Sequence, residues 1–213
     1  MTETEIVKVQ SGDVDSCRQV AVLHMAAIHF GLLPLLGASF LTKFYLSLLS
    51  APEAALWIAR DGQRVVGFLA GCINVTAVYR HIISRWGLSL SVAAGLALLR
   101  PTVIRRLPSI LVYPMRRTRS TAAAPAATEA ELLSIAVNPD VRGRGIGHAL
   151  VFAFEEFLRI GRVPVYRVAT NVAERASNAF YQALGFEPIG TTIHHDLTLQ
   201  LYQKAVPAPA TRA

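Results

Sequence analysis

The chain has 213 residues, of which 53% are hydrophobic and 16% charged, and its formal net charge is +7. That length suffices for one domain with a substantial core, and so apolar a composition argues against extensive disorder. Two cysteines, Cys17 and Cys72, lack motif spacing, which argues against a disulfide framework or a zinc cluster and makes a reducing cytoplasm the expected compartment.

The opening "MTETEIVKVQ" is acidic and has no apolar core segment, so it does not read as a secretory signal. Within it, residues 5–10 alternate and predict a first strand. "SGDVDSCRQVAVLHMAAIHF" opens with capping residues. It then repeats apolar positions at helical spacing: Val14, Cys17, Ala21, His24 and Ile28. "GLLPLLGASFLTKFYLSLLS" predicts a turn and a second helix, with Phe40, Phe44 and Leu48 along one side. "AALWIARDGQRVVGFLAGCI" predicts a hairpin around Asp61-Gly62, a pair suited to positive φ.

Residues 74–128 break the pattern and read as an insert and linker. No Asp or Glu occurs between Asp61 and Glu129, an interval holding Arg64, Arg80, Arg85, Arg100, Arg105, Arg106, Arg116, Arg117 and Arg119. The positive charge therefore belongs to one segment and needs a local explanation. An uncharged run lies between Arg85 and Arg100, shorter than the roughly 20 residues of a membrane span. Interleaved with aliphatics, these arginines suit an anionic bilayer surface, reached peripherally from the cytoplasm through residues 80–119, or a phosphorylated acceptor. They equally suit a helical flap with its arginines in water. Aromatics are few, which disfavours nucleic acid.

Regular structure resumes with a strand over 129–137 and a helix over 145–160, with Leu150, Phe154, Phe157 and Leu158 on one face. A strand over 163–170, a helix over 174–184 and two final strands follow. Local hairpins mixed with crossovers predict an α/β fold with a mixed sheet flanked by helices and a helical insert after the third strand. Residues 1–204 form one domain in this reading, and 205–213 a loose tail.

The junction "VNPDVRGRGIGHAL" carries the strongest chemistry. A strand, a glycine-rich turn and a helix can aim successive N–H groups at a phosphate. Gly143, Gly145 and Gly147 would let the chain approach without a Cβ, while Arg142 and Arg144 supply positive charge. Neither the Walker nor the dinucleotide pattern is present. On the glycines alone, a turn that merely packs helix on strand remains open.

"ELLSIAVNPDVRGRGIGHAL" resembles the acyl-coenzyme A motif of the GNAT superfamily of N-acetyltransferases, with Arg142-Gly143-Arg144-Gly145-Ile146-Gly147 at its core. "SNAFYQALGFEPIG" resembles that family's penultimate helix and next strand, and the likeness covers roughly 129–204. The resemblance implies a single acyltransferase-like domain. It would move acetyl from acetyl-CoA, used as cosubstrate without a metal, to a primary amine of a small molecule such as an amino sugar or sugar nucleotide. It implies backbone donors at Ile135, Ala136 and Val137 on a bulged strand, Glu131 as base and Tyr181 as acid, with Phe180 as the core member of the aromatic pair. Asn171, Ser177 and Asn178 would lie along the pantetheine arm. The family's common asparagine, seven residues before the tyrosine, is Glu174 here.

Glu131 could instead be a strand-end surface residue, with Glu129, a water chain or a histidine as base. Beside Leu132 and Leu133, an isolated carboxylate there would have a raised pKa. Among the histidines, His24 reads as a core residue, His29 and His81 carry no motif, and His148 reads as a surface position. His194 and His195 sit where the last strands meet, near the acceptor side. No pair has metal-ligand spacing. A non-catalytic acyl-CoA-binding or membrane-docking protein, or a protein-amine acetyltransferase, are the alternatives.

Overall fold

The computed structural model describes residues 4–28, 33–98, 128–194 and 197–207. Seven strands form one sheet: β1 (Glu5–Lys8), β2 (Ala54–Asp61), β3 (Arg64–Cys72), β4 (Glu131–Val137), β5 (Val165–Asn171), β6 (Glu187–His194) and β7 (Leu197–Ala205). Their order is β1-β2-β3-β4-β5-β7-β6. All neighbours are antiparallel except β4 and β5, which are parallel. The predicted mixed sheet is therefore present. β7 runs through Ala205, one residue beyond the expected domain end.

Helices cover both faces. On one side, α1 (Val14–Ala27), α2 (Leu33–Leu36), α3 (Ala38–Leu49) and α4 (Val75–Leu98) pack over β2 and β3; on the other lie α5 (Ile146–Ile160) and α6 (Arg175–Ala183). β2 and β3 are buried on both faces for most of their length, which explains why they read as continuous apolar runs. Gly71 is required on β3, because a Cβ there would lie 2.5 Å from the Phe154 ring of α5.

Local chemistry sets the helix boundaries. Asp13 caps α1 by accepting from the Ser16 N–H at 3.0 Å and its hydroxyl at 2.6 Å. Asn74 caps α4 by accepting from the Ala77 N–H at 2.7 Å. The first part of the basic insert is thus a long helix joined to α3. Trp86 Nε1 donates to Ser50 Oγ at 3.1 Å, and His81 Nε2 lies 3.1 Å from the same oxygen. Among the described residues no helix is long and apolar enough to cross a membrane. Residues 99–127, with Arg100, Arg105, Arg106, Arg116, Arg117 and Arg119, lie outside the described residues, as do His29 and His195.

Two expectations about faces need correction. In α3 the buried side is Leu41, Tyr45 and Leu48, while Phe40 and Phe44 are half-buried beside the cleft. In α6 the core residue is Tyr181, in edge contact with Phe180 and Phe186, and Phe180 is the half-buried neighbour.

Candidate active site

The site begins with a break in sheet pairing. β4 and β5 pair only at Glu131↔Arg167 and Leu132↔Val168. On its other edge β4 keeps pairing with β3 as far as Val137↔Gly67. The register jumps from Ser134↔Ala70 to Leu132↔Gly71, so Leu133 is the extra residue of a β-bulge. Beyond it the edge of β4 that faces β5 has no strand beside it.

The bulge decides which groups point where. Asn138 N–H donates to Val66 O at 2.8 Å, towards β3. Antiparallel alternation then turns Ala136 towards β3 and leaves the N–H groups of Ile135 and Val137 directed into the gap. The side chains are redistributed too. Leu132, Ile135 and Val137 join the cluster beneath α5, whereas Leu133 and Ala136 join the one beneath α1 and α3. Alternation from Leu132 places Glu131 on the α1–α3 face, opposite Val137. Six residues of regular strand would have put both on one face.

Glu131 is not isolated, contrary to the sequence reading. Arg167 Nε lies 2.9 Å from its Oε2. Burial pushes the Glu131 carboxyl above its ordinary pKa, and the Arg167 charge and hydrogen bond pull the other way. Arg167 escaped the sequence reading; its trace is a charged residue between apolar neighbours in "VYRVAT".

The glycine turn lies across the gap from this pair. Gly143 has φ 78° and Gly145 φ 76°, and a Cβ on either would meet nothing within 4 Å. Both therefore face open space in a left-handed conformation that favours glycine. Gly145 is the N-cap of α5, and its carbonyl accepts from Ala149 at 3.0 Å. The first N–H groups of α5 are without helical partners. At Gly147 the missing Cβ admits the Phe180 ring, which would stand 3.0 Å from a Cβ there. Ile146 is 5% exposed and packs its side chain in the core. Arg142 Nε donates to Val137 O at 3.2 Å, tying the turn to the end of β4. Arg144 is exposed and does not border the cleft.

A cavity of about 1550 Å³ connects these parts. Glu129, Glu131, Ser134, Ile135, Ala136 and Val137 border it, as do Arg142, Gly143, Gly145, Gly147, His148, Ser177 and Tyr181. Tyr181 is 5% exposed, burial raises its hydroxyl pKa, and the hydroxyl has no hydrogen-bond partner among the described residues. Asn171 and Asn178 do not border the cavity. Asn171 Oδ1 accepts from Ala173 N at 3.0 Å. Asn178 Nδ2 donates to Asn171 O at 3.0 Å and Glu174 O at 2.8 Å, and its Oδ1 accepts from Tyr202 at 3.0 Å. Their amides hold the β5–α6 turn together.

His24 is 3% exposed and its Nδ1 lies 2.7 Å from the Tyr45 hydroxyl, so it is a satisfied interior residue. Burial lowers its pKa to about 4, which keeps the ring neutral near pH 7. His148 is exposed at the cavity edge, with its ring edge-on to Phe180. Among the described residues no group of His, Cys, Asp and Glu could hold a metal ion.

A bulged strand parting from its parallel neighbour, with a glycine turn at the mouth of the gap, defines an acyltransferase. The model described as "Acetyltransferase (GNAT) family" matches residues 27–186, and the chain belongs to that family. No curated protein matches the sequence. Three solved structures illustrate the fold. The ribosomal-protein-S18-alanine N-acetyltransferase from Escherichia coli is 13% identical, with TM-score 0.58 and coverage of 99% of each chain. A GNAT-family acetyltransferase from Streptococcus pneumoniae is 15% identical, with TM-score 0.56 over 96% of this chain and 100% of that one. An acetyltransferase from Thermus thermophilus is 18% identical, with TM-score 0.54 over 95% of this chain and 96% of that one. At such identities they speak for the fold and not for an acceptor.

Proposed function

We propose that the enzyme transfers acetyl from acetyl-CoA to a primary amine of a small molecule, by direct attack of the amine on the thioester. The observation that carries this reading is the gap. Unpaired N–H groups on β4 and open-facing glycines at Gly143 and Gly145 border one cavity that also reaches the half-buried Glu131 carboxylate and the buried Tyr181 phenol.

Each demand of the reaction has a group to meet it. The amides around the start of α5 cradle the diphosphate, with Arg142 adding charge. The N–H groups of Ile135 and Val137 face the thioester oxygen, where a fixed donor is worth about 3 kcal/mol as charge develops. Glu131 accepts the amine proton. Its raised pKa brings it nearer to neutrality than an ordinary carboxylate, which suits proton transfer. Tyr181 gives a proton to the departing thiolate. Its burial keeps that hydroxyl protonated, so the proton is in place when the thiolate leaves. Ser177 flanks the same path.

Contact with an anionic surface is a second, separate part of the proposal. It rests on exposed Arg80 and Arg85 beside Ile83 and Leu88, which are 63% and 83% exposed on α4. Flotation with anionic vesicles at low salt, lost at high salt, is the outcome that supports it; no flotation at low salt removes it. The transfer itself is tested by thiol release from acetyl-CoA across a panel of amines. Wild-type turnover together with an inactive Glu131→Gln variant that still binds acetyl-CoA is the expected result.

A further inference from the structure

The geometry points to an acceptor whose amine is carried on an apolar body, an alkylamine or arylalkylamine, and not to an amino sugar or a phosphorylated acceptor. The inference rests on the acetyl-transfer reading and names its substrate class.

Size is the first argument. A pocket for one small ligand usually encloses about 300–1000 Å³, and this cavity is larger, at about 1550 Å³. It reaches from the glycine turn, through the gap between β4 and β5, to the α1–α4 face. That leaves a chamber for a second molecule beyond the thioester position, on the side where Glu131 projects.

The chamber wall is the second argument. Leu36, Phe40 and Phe44 come from α2 and α3, Val75 and Ile82 from α4, and Leu199 from β7. α3 has two apolar sides. Leu41, Tyr45 and Leu48 fill the core, and Phe40 and Phe44 contribute a further apolar surface that folding leaves beside the cavity. Covering such surface with an apolar ligand is favourable at about 25 cal/mol per Å². Covering it with a hydroxyl-rich ligand is not, because each buried hydroxyl needs a hydrogen-bond partner.

Charge is the third. Among the described residues, the arginines bordering the cavity are Arg142, at the coenzyme turn, and Arg167, already paired with Glu131. No described cation on the α1–α4 side is placed to meet a phosphate. The acidic side chains bordering the cavity there, among the described residues, are Glu129 and Glu131, whose carboxylate charge would attract an ammonium group. A single cationic head at Glu131 and an apolar body against Phe40 and Phe44 match this distribution.

The test is a kcat/KM series with acetyl-CoA and n-butyl-, n-hexyl- and n-octylamine, 2-phenylethylamine and glucosamine. Specificity should rise by up to about fourfold per methylene and be lowest for glucosamine. Phe44→Asp should lower kcat/KM for octylamine more than tenfold while acetyl-CoA affinity stays unchanged. Phe40→Ser, at a half-buried position, should do so to a lesser degree if Phe44→Asp fails to fold. A flat chain-length series, or glucosamine preferred over octylamine, overturns the proposal. If acetyl-CoA binds and no amine turns over, calorimetry with octylamine and CoA decides. Heat abolished by Phe40→Ser supports the apolar chamber while the transfer reading fails; no heat overturns both.

Discussion

The two sides of the β4–β5 gap are built in opposite ways. On the proposed coenzyme side, the amides come from the contiguous stretch 135–147, and backbone conformation would carry the function: an unpaired strand edge, two glycines at positive φ and a helix start. On the proposed acceptor side, Glu131, Arg167, Phe40, Phe44 and Ile82 come from β4, β5, α3 and α4, and side chains would carry it. The teaching is that backbone sites tolerate no Cβ where a ligand must come close. Side-chain sites, in contrast, can be retuned one residue at a time.

Substitutions on the two sides should therefore fail differently. The largest effect is expected from Gly145→Val, which forces a branched residue to φ 76° and fills open space facing the cleft. Acetyl-CoA affinity should drop by roughly 100-fold or more in calorimetry, as expected when a branched side chain takes the place of an anion-binding glycine, with thermal unfolding showing a folded protein. Next, Glu131→Gln should lower kcat by about 10²–10⁴ with coenzyme affinity intact in the same assay.

The pH profile tests the acceptor side more finely. In the proposed mechanism Glu131 works as the carboxylate, so the rate should fall as pH drops through its raised pKa. Arg167→Met removes the charge that opposes this rise. The acid limb of kcat/KM should then move to higher pH, and Glu131→Gln should abolish that limb. Tyr181→Phe conserves volume in the aromatic cluster and should cost kcat about 10–100-fold, read in single-turnover rates. The smallest effect belongs to the scaffold: Gly71→Ala pushes a methyl against Phe154 and should cost about 1–3 kcal/mol, seen as a lowered Tm with unchanged coenzyme affinity.

The same contrast governs how far the site was legible in the sequence. Gly143 and Gly145 announce themselves because their chemistry is local: strand, turn and helix start follow within a few residues. The hairpin at Gly62 and the cap at Asp13 were readable for the same reason. The Glu131–Arg167 pair was not, because it joins residues 36 apart through a parallel pairing that no local pattern encodes. α3 misled the reading because it is apolar on two sides, so periodicity alone could not separate Leu41 and Tyr45 from Phe40 and Phe44. Which of Phe180 and Tyr181 is the inner ring was not legible, because adjacent aromatics on a helix point about 100° apart and only tertiary packing selects the inner one. The turn bonds of Asn178 were not legible either, because its partners Asn171, Glu174 and Tyr202 are set by the β5–α6 turn and by β7.

Amide hydrogen exchange with and without acetyl-CoA tests the central claim most directly. The account predicts protection at Ile135 and Val137, whose N–H groups face the gap, and at Gly145 to His148 around the start of α5, with Ala136 unchanged because it is already bonded towards β3. Protection confined to other segments, or none at saturating acetyl-CoA, would contradict it.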